Sequence, residues 1–277
     1  VRIRWDVLFL VFSIAGSGSR AASAAEALPP HETLTIDSKA LGETRRVNVY
    51  VPPGYETAAG IRYPVLYMPD GGIEEDFPHV ASDVDAAIRA GEMRPVIVVG
   101  IENTERRRDM TGPTDVASDR EIAPRVGGSA RFRSFVREEL MPLVRGRYRG
   151  NGETAIVGES LAGLFVVETL LEEPALFGRY IALSPSLWWN AKGLVRGAAD
   201  LLKAHPRSNA TLYLAIAGDD DRNDAVKEFA AVLRSAAPKS LTWYFEPWPR
   251  EQHSTIYRAA SPKAFRKLFP AVRPASP

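Results

Sequence analysis

The stretch Ala155–Phe165 reads AIVGESLAGLF. An apolar, strand-like run stops at Gly158-Glu159-Ser160, and an apolar, helix-like run begins at once. A serine on so sharp a strand-to-helix turn has its hydroxyl lifted clear of the sheet at the head of a helix, where a nucleophile can work. The residues two before and two after must be small, because they pack together. They are Gly158 and Ala162, followed by Gly163. The usual G-x-S-x-G is here G-x-S-x-A-G, one methyl larger. The plainer alternative is an ordinary βα turn with a serine near a helix N-cap. The strand before and the helix after favour the nucleophile.

A serine hydroxyl needs a base to take its proton. The chain has four histidines, His31, His79, His205 and His253. Where a nucleophile sits on such a turn, an acid and then a histidine follow it in chain order. His31 and His79 precede Ser160, and His205 precedes the strand expected to deliver the acid. His253, in EPWPREQHSTIY, follows the last expected strand and is the expected base.

The acid belongs just after LYLAIAG, in the run Gly218-Asp219-Asp220-Asp221-Arg222-Asn223-Asp224. A carboxylate there holds the imidazole in the right tautomer and stabilises the imidazolium. Asp221 is the expected acid, with Asp219 and Asp220 open, while Asp224 reads better as a helix N-cap. Acyl transfer also needs backbone N–H groups aimed at an oxyanion. Leu161 would supply one, and the loop MPDGGIEED, at Gly71 and Gly72, the other; a plain glycine turn is the alternative for that loop.

These residues need a scaffold. TLTID and RRVNVYVP predict two N-terminal strands joined at Leu41-Gly42-Glu43. YPVLYMPDGG, RPVIVVGIEN, TAIVGES, YIALSPSLWW, ATLYLAIAGDDD and LTWYFEPWP predict six more. Between them, DVDAAIRAG, ARFRSFVREELMPLV, LAGLFVVETLLEE, GLVRGAADLLKAH and DAVKEFAAVLRSA predict helices, and SPKAFRKLF a closing one. In the second, Phe132, Phe135, Val136, Leu140, Leu143 and Val144 fall at helical spacing and should share a buried face. About Asn103 to Ser129 no period is visible, and so long a loop suggests a functional one. The alternation predicts an α/β domain with a mostly parallel sheet of about eight strands and helices on both faces. Ligands then belong beyond the carboxyl ends of the strands, where Gly71, the arginine-rich loop, Ser160, Trp188-Trp189 and the aspartate run all fall.

The 277 residues suit one such domain, and a net charge of +1 gives no global pull toward nucleic acid or anionic membrane. With no cysteine, thiolate metal sites, a cysteine nucleophile and disulfides are excluded. No cofactor or metal is expected. Arg2 and Arg4, the apolar run Val7–Gly16 and Ala22-Ser23-Ala24 predict a secretory signal over residues 1–25, with the enzyme domain over 26–277. A periplasmic or secreted protein without stable membrane insertion is the expectation.

Three segments, GESLAGLFVVETLLEEPALFGRYIALSPSLWWN, VGIENTERRRDMT and REELMPLVRGRYR, resemble the putative esterase family of α/β hydrolases, nearest its periplasmic enterobactin-type siderophore esterases. The resemblance covers about residues 35 to 270. It implies an α/β-hydrolase fold, metal-free hydrolysis of a small-molecule ester, and Ser160 and His253 as the working pair. Ala162 and Glu159, where the family often has histidine, are departures. Arg106 and Arg108 fall where the family carries arginines beside its site, so they are candidates for an anionic ester. The alternative is that they pair with Glu102, Glu105 and Asp109 and shape the loop. Trp188 and Trp189 are candidates for an aromatic wall, or for packing. An acyltransferase and a catalytically silent binding module are the competing functions.

Overall fold

The computed structural model describes residues 28–207, 209–218 and 224–271. The expected leader, and Asp219, Asp220 and Asp221, lie outside the described residues.

Eight strands form one sheet: β1 (His31–Ser38), β2 (Glu43–Tyr50), β3 (Tyr63–Pro69), β4 (Ile97–Ile101), β5 (Gly150–Glu159), β6 (Arg179–Leu183), β7 (Thr211–Ala217) and β8 (Thr242–Trp248). Their spatial order is β1-β2-β4-β3-β5-β6-β7-β8. β1 pairs antiparallel with β2, and β2 antiparallel with β4; from β4 to β8 every pairing is parallel. This is an α/β-hydrolase fold.

Helices cover both faces. α1 (Phe77–Arg89) and α9 (Ile256–Leu268) pack one core layer, with Leu66 and Met68 of β3 and Ala155 and Val157 of β5 pointing at them. The opposite layer takes Tyr67 and Ile156, the alternate residues of those strands. It is closed by α4 (Ser129–Phe135) running through a π turn, Val136–Leu140, into α5 (Met141–Arg147), and by α6 (Ser160–Glu172), α7 (Trp189–Ala204) and α8 (Asp224–Ala236). α6 is buried from Leu161 to Leu171, which is why its sequence is apolar all round.

Three sequence expectations change. Leu143 is 40% exposed rather than buried. The π turn, next to Pro142, which has no N–H for an intrahelical bond, adds a residue to the helical turn and rotates the residues beyond it about the helix axis. Met141 and Val144 then face the core. The segment from Asn103 to Ser129 is not structureless: it holds α2 (Arg106–Asp109) and α3 (Ala117–Ile122). Side-chain bonds fix it, and these have no periodicity. The fully buried Arg45 of β2 donates to Asp109 Oδ2 at 2.6 Å, to Thr104 Oγ1 at 2.7 Å and to the Glu102 carbonyl at 3.0 Å. Finally, the strand expected through SPSLWW ends at Leu183, and Asn190, Ala191 and Lys192 carry left-handed backbones with φ of 50°, 48° and 63°. Asp119 Oδ2 holds that turn by accepting the Asn190 N–H at 2.8 Å.

Candidate active site

β5 runs into α6 without an intervening residue, so the chain reverses at Ser160 itself, whose φ is 59°. A non-glycine residue there is strained by about 1–3 kcal/mol and is held by its surroundings. The surroundings are tight. A Cβ built on Gly158 would lie 2.6 Å from the carbonyl carbon of Ala162, and one on Gly163 3.0 Å from Pro185 Cα. Ala162 is tolerated because Gly158 opposite it has no side chain. The Ser160 carbonyl accepts the Ser186 N–H at 2.9 Å, which ties the elbow to the loop after β6.

His253 comes from the loop between β8 and α9. The end of β7 presses on that loop: Gly218 donates its N–H to the Glu251 carbonyl at 2.9 Å, and a Cβ on Gly218 would meet the Pro249 oxygen at 2.3 Å. Gln252 donates its N–H to Thr255 Oγ1 at 3.0 Å and closes the turn that presents His253. His253 Nε2 lies 3.1 Å from Ser160 Oγ, in hydrogen-bond geometry. Of the other histidines, His79 is buried on α1 against the Tyr257 ring at 4.7 Å, His205 ends α7 and His31 begins β1. A base in line with a hydroxyl on a strained turn can remove its proton as it attacks a carbonyl.

The backbone around this pair is polarised. Leu161, second in α6, has an N–H without an intrahelical acceptor, at the positive end of the helix dipole. The glycines after β3 are divided in role. Gly71 N–H donates to the Ile101 carbonyl at 2.9 Å, so the expected donor at Gly71 is already engaged. Its lack of a side chain serves close approach, since a Cβ there would sit 2.2 Å from Gly100 Cα. Gly72 N–H donates to Glu75 Oε2 at 2.7 Å, so a carboxylate occupies this candidate oxyanion donor.

Arg106 is bidentate to Asp70, with Nε to Oδ1 at 2.7 Å and Nη2 to Oδ2 at 2.8 Å, and Asn103 Nδ2 adds a third bond at 2.6 Å. Asp70 is 4% exposed with φ of 56°, so the fork fixes the start of the glycine loop. Arg108 is engaged elsewhere: Nε donates to Asp109 at 2.7 Å, and Nη1 and Nη2 to Glu43 at 3.1 and 2.8 Å. That engages its fork as the pairing alternative expects, and it fastens α2 to β2. Trp189 is buried, its Nε1 donating to the Gly112 carbonyl at 3.1 Å, so it packs the loop rather than lining a cleft. Trp188 is half-buried, its ring 5.9 Å from that of Trp189. Asp224 opens α8 and lies 3.8 Å from Lys227.

Three further residues join the site, and the sequence assigns none of them a role. Ser186 Oγ stands 3.3 Å from Ser160 Oγ. Glu159 Oε1 lies 3.0 Å from His253 Nε2, at ion-pair distance but off a hydrogen-bond line. Burial pushes the Glu159 carboxyl above the usual carboxylate range, against the opposing pull of His253 and Arg106. The fully buried Tyr257 hydroxyl has no hydrogen-bond partner among the described residues, and burial beside Asp76, Asp70 and Glu159 raises it. The unusual glutamate in the elbow is the one hint of this cluster in the sequence; Ser186 sits without distinction in SPSLWW.

The family described as "Putative esterase" matches residues 38–259. The chain belongs to the putative esterase family. Its activity is ester hydrolysis on an α/β-hydrolase scaffold. It is 26% identical over 266 residues to the ferri-bacillibactin esterase BesA of Bacillus subtilis, covering 86% of this chain and 89% of that protein. It is 25% identical to the apo-salmochelin esterase of Escherichia coli O6:H1, over 78% of this chain and 73% of that one. Among solved structures, an IroE-like serine hydrolase from Shewanella oneidensis superposes with a TM-score of 0.77 at 29% identity, over 87% and 80% of the two chains. Among the described residues no helix is long and apolar enough to cross a membrane, and no group of three or more His, Asp or Glu could hold a metal ion.

Proposed function

We propose that this esterase is a serine hydrolase working through an acyl-enzyme, with Ser160 as nucleophile and His253 as base. The observation that carries the reading is the 3.1 Å separation of His253 Nε2 from Ser160 Oγ on a turn with positive φ. Ser160 Oγ attacks the ester carbonyl as its proton moves to Nε2. The oxyanion is met by the Leu161 N–H, and by the Gly72 N–H once the Glu75 carboxylate yields it. The proton then passes from Nε2 to the departing alkoxide oxygen, and water repeats the cycle on the acyl group. Asp221, or Asp219 or Asp220, would orient the imidazole.

The substrate class we propose is an ester with anionic or phenolic groups near the scissile bond, of the siderophore kind. It is supported by the substrates in the names of the relatives. It is also supported by Arg106, whose positive charge acts on Glu159, the neighbour of Ser160. An exported location belongs to the same reading, from the basic, apolar and small residues of the leader.

Two measurements test the mechanism. Ser160→Ala should lose at least about a thousandfold in kcat/KM while keeping its melting temperature, because nucleophile and base act as a unit. A serine-directed phosphonate should leave one adduct, on the peptide carrying Ser160. An active Ser160→Ala protein, or an adduct elsewhere, overturns the proposal. A panel running from p-nitrophenyl acetate to feruloyl esters and catecholate trilactones identifies the substrate class.

A further inference from the structure

One nitrogen of His253 faces two oxygens. Nε2 stands 3.1 Å from Ser160 Oγ and 3.0 Å from Glu159 Oε1. Glu159 and Ser160 are adjacent, but strand geometry ends at one and helix geometry begins at the other, so both side chains reach the same ring edge. In a serine–histidine pair, charge on the imidazole is usually balanced from its other nitrogen. Here a carboxylate stands on the side where the proton arrives.

We propose that Glu159 is a positioning residue that balances the His253 imidazolium from the Nε2 side, strengthening the base but holding the proton that a poor leaving group needs. The inference rests on the serine–histidine reading above. In the resting pair the Nε2 lone pair faces the Ser160 hydroxyl. During attack the Oγ–H bond breaks, the Nε2–H bond forms, and Oγ bonds to the carbonyl carbon. The new N–H⁺ then points at the reacting oxygens, with Glu159 Oε1 3.0 Å from Nε2 to one side of that line, where it acts through its charge. An ionised carboxylate so near favours the charged ring. Collapse requires the C–O bond of the leaving group to break as the Nε2 proton moves to that oxygen. A carboxylate that attracts the proton slows this move. The cost is large for an alkoxide and small for p-nitrophenolate, which departs without a proton.

The surroundings keep Glu159 responsive to pH. Around it are His253 from the loop after β8, Arg106 from α2, Asp70 from the loop after β3, and, with these, Asp76 before α1 and the Tyr257 hydroxyl on α9. Arg106 is shared with Asp70, which is buried and bidentate to it. Glu159 thus has half-claims on two cations. Burial raises its own titration, so a neutral Glu159 is reached at a higher pH than for a free glutamate. Above that pH it stabilises the charged ring; below it the effect is lost.

Two experiments test this. The first compares Glu159→Gln with the native enzyme on an alkyl ester and a p-nitrophenyl ester of the same acid, across pH. The acidic limb of kcat/KM should move down by about one pH unit, as expected when an opposite charge is removed from an ionisable ring. The ratio of alkyl to p-nitrophenyl turnover should rise by about threefold or more. Glu159→Asp, which keeps the charge but withdraws it by one methylene, should fall between, and it carries the test if the glutamine variant does not fold. An unmoved limb with both esters slowed alike would mean that Glu159 is structural, and would overturn the inference. The second needs no activity: NMR titration of the His253 ring in Ser160→Ala and in Ser160→Ala/Glu159→Gln. A lower ring titration in the double variant supports the pair even if every ester proves inert, in which case the esterase mechanism alone fails. Identical titrations overturn it.

Discussion

Gly158→Ala is the sharpest test of how the elbow is built. The added methyl would lie 2.6 Å from both the carbonyl carbon and the oxygen of Ala162, and 2.8 Å from its Cβ. Ordinary carbon contacts begin near 3.5 Å, so the first turn of α6 must retreat by about 1 Å. It cannot tilt freely, because Gly163 on the next position is already packed on Pro185. The penalty is twofold. Overpacking a filled site costs about 1–3 kcal/mol of stability. A nucleophile misplaced by about 1 Å loses roughly a hundredfold in rate. Stopped-flow hydrolysis of p-nitrophenyl butyrate, with urea unfolding of the same preparations, separates the two. Turnover (kcat) should fall by about two orders of magnitude, far beyond any unfolded fraction. Ala162→Gly, which restores the commoner pattern, removes no contact that Gly158 needs; it should keep kcat within about threefold and cost up to about 1 kcal/mol, as glycine does in a helix. A Gly158→Ala enzyme with native kcat would refute the account of a close-packed elbow.

Two further outcomes are expected. Burial opposes ionisation of Glu43, but hydrogen bonds from Arg108, Thr104 and Arg45 outweigh it and hold the carboxyl at about 2, below the 4.5 of a free glutamate. Its folded value is the lower one, so the stabilisation is complete above pH 4.5 and is lost as pH falls toward 2, by roughly 2–3 kcal/mol. Urea midpoints at pH 7, 4.5 and 3 should show a shallower acid decline in Glu43→Gln, and an unchanged slope would count against this ion-pair network. Arg106→Ala should lower kcat/KM on a carboxylated ester about tenfold more than on p-nitrophenyl acetate, the scale of one charge-assisted hydrogen bond. Arg108→Ala should affect both esters alike; equal losses on both esters for Arg106→Ala would confine that arginine to holding Asp70.

The sheet is legible in the sequence because its strands are apolar runs separated by helices with one apolar face, a local signal. Ser160 is legible for the same reason: strand, glycine, serine and helix are contiguous. His253 can be reached by chain order. The features that stay hidden depend on residues distant in sequence. Nothing local reveals that Arg45 reaches across to Asp109, or that Asp119 steadies a left-handed turn at Asn190. Periodicity misplaces Leu143 because it assumes a constant turn, and the π turn before it breaks that constancy. Arg108 looks like a ligand because its partner Glu43 lies 65 residues earlier, on β2.

Gly71 and Gly100 meet with no space between them: a Cβ on either would fall within 3.0 Å of the other's backbone. Each is therefore a condition for the other, and no single substitution can test an alternative at either place. A library randomised at these two codons and selected on any new ester should return glycine at both. Variation that retunes substrate choice has to enter through side chains elsewhere, with Arg106 and Trp188 as the candidates. Any change in what this chain cleaves has to leave that one crossing untouched.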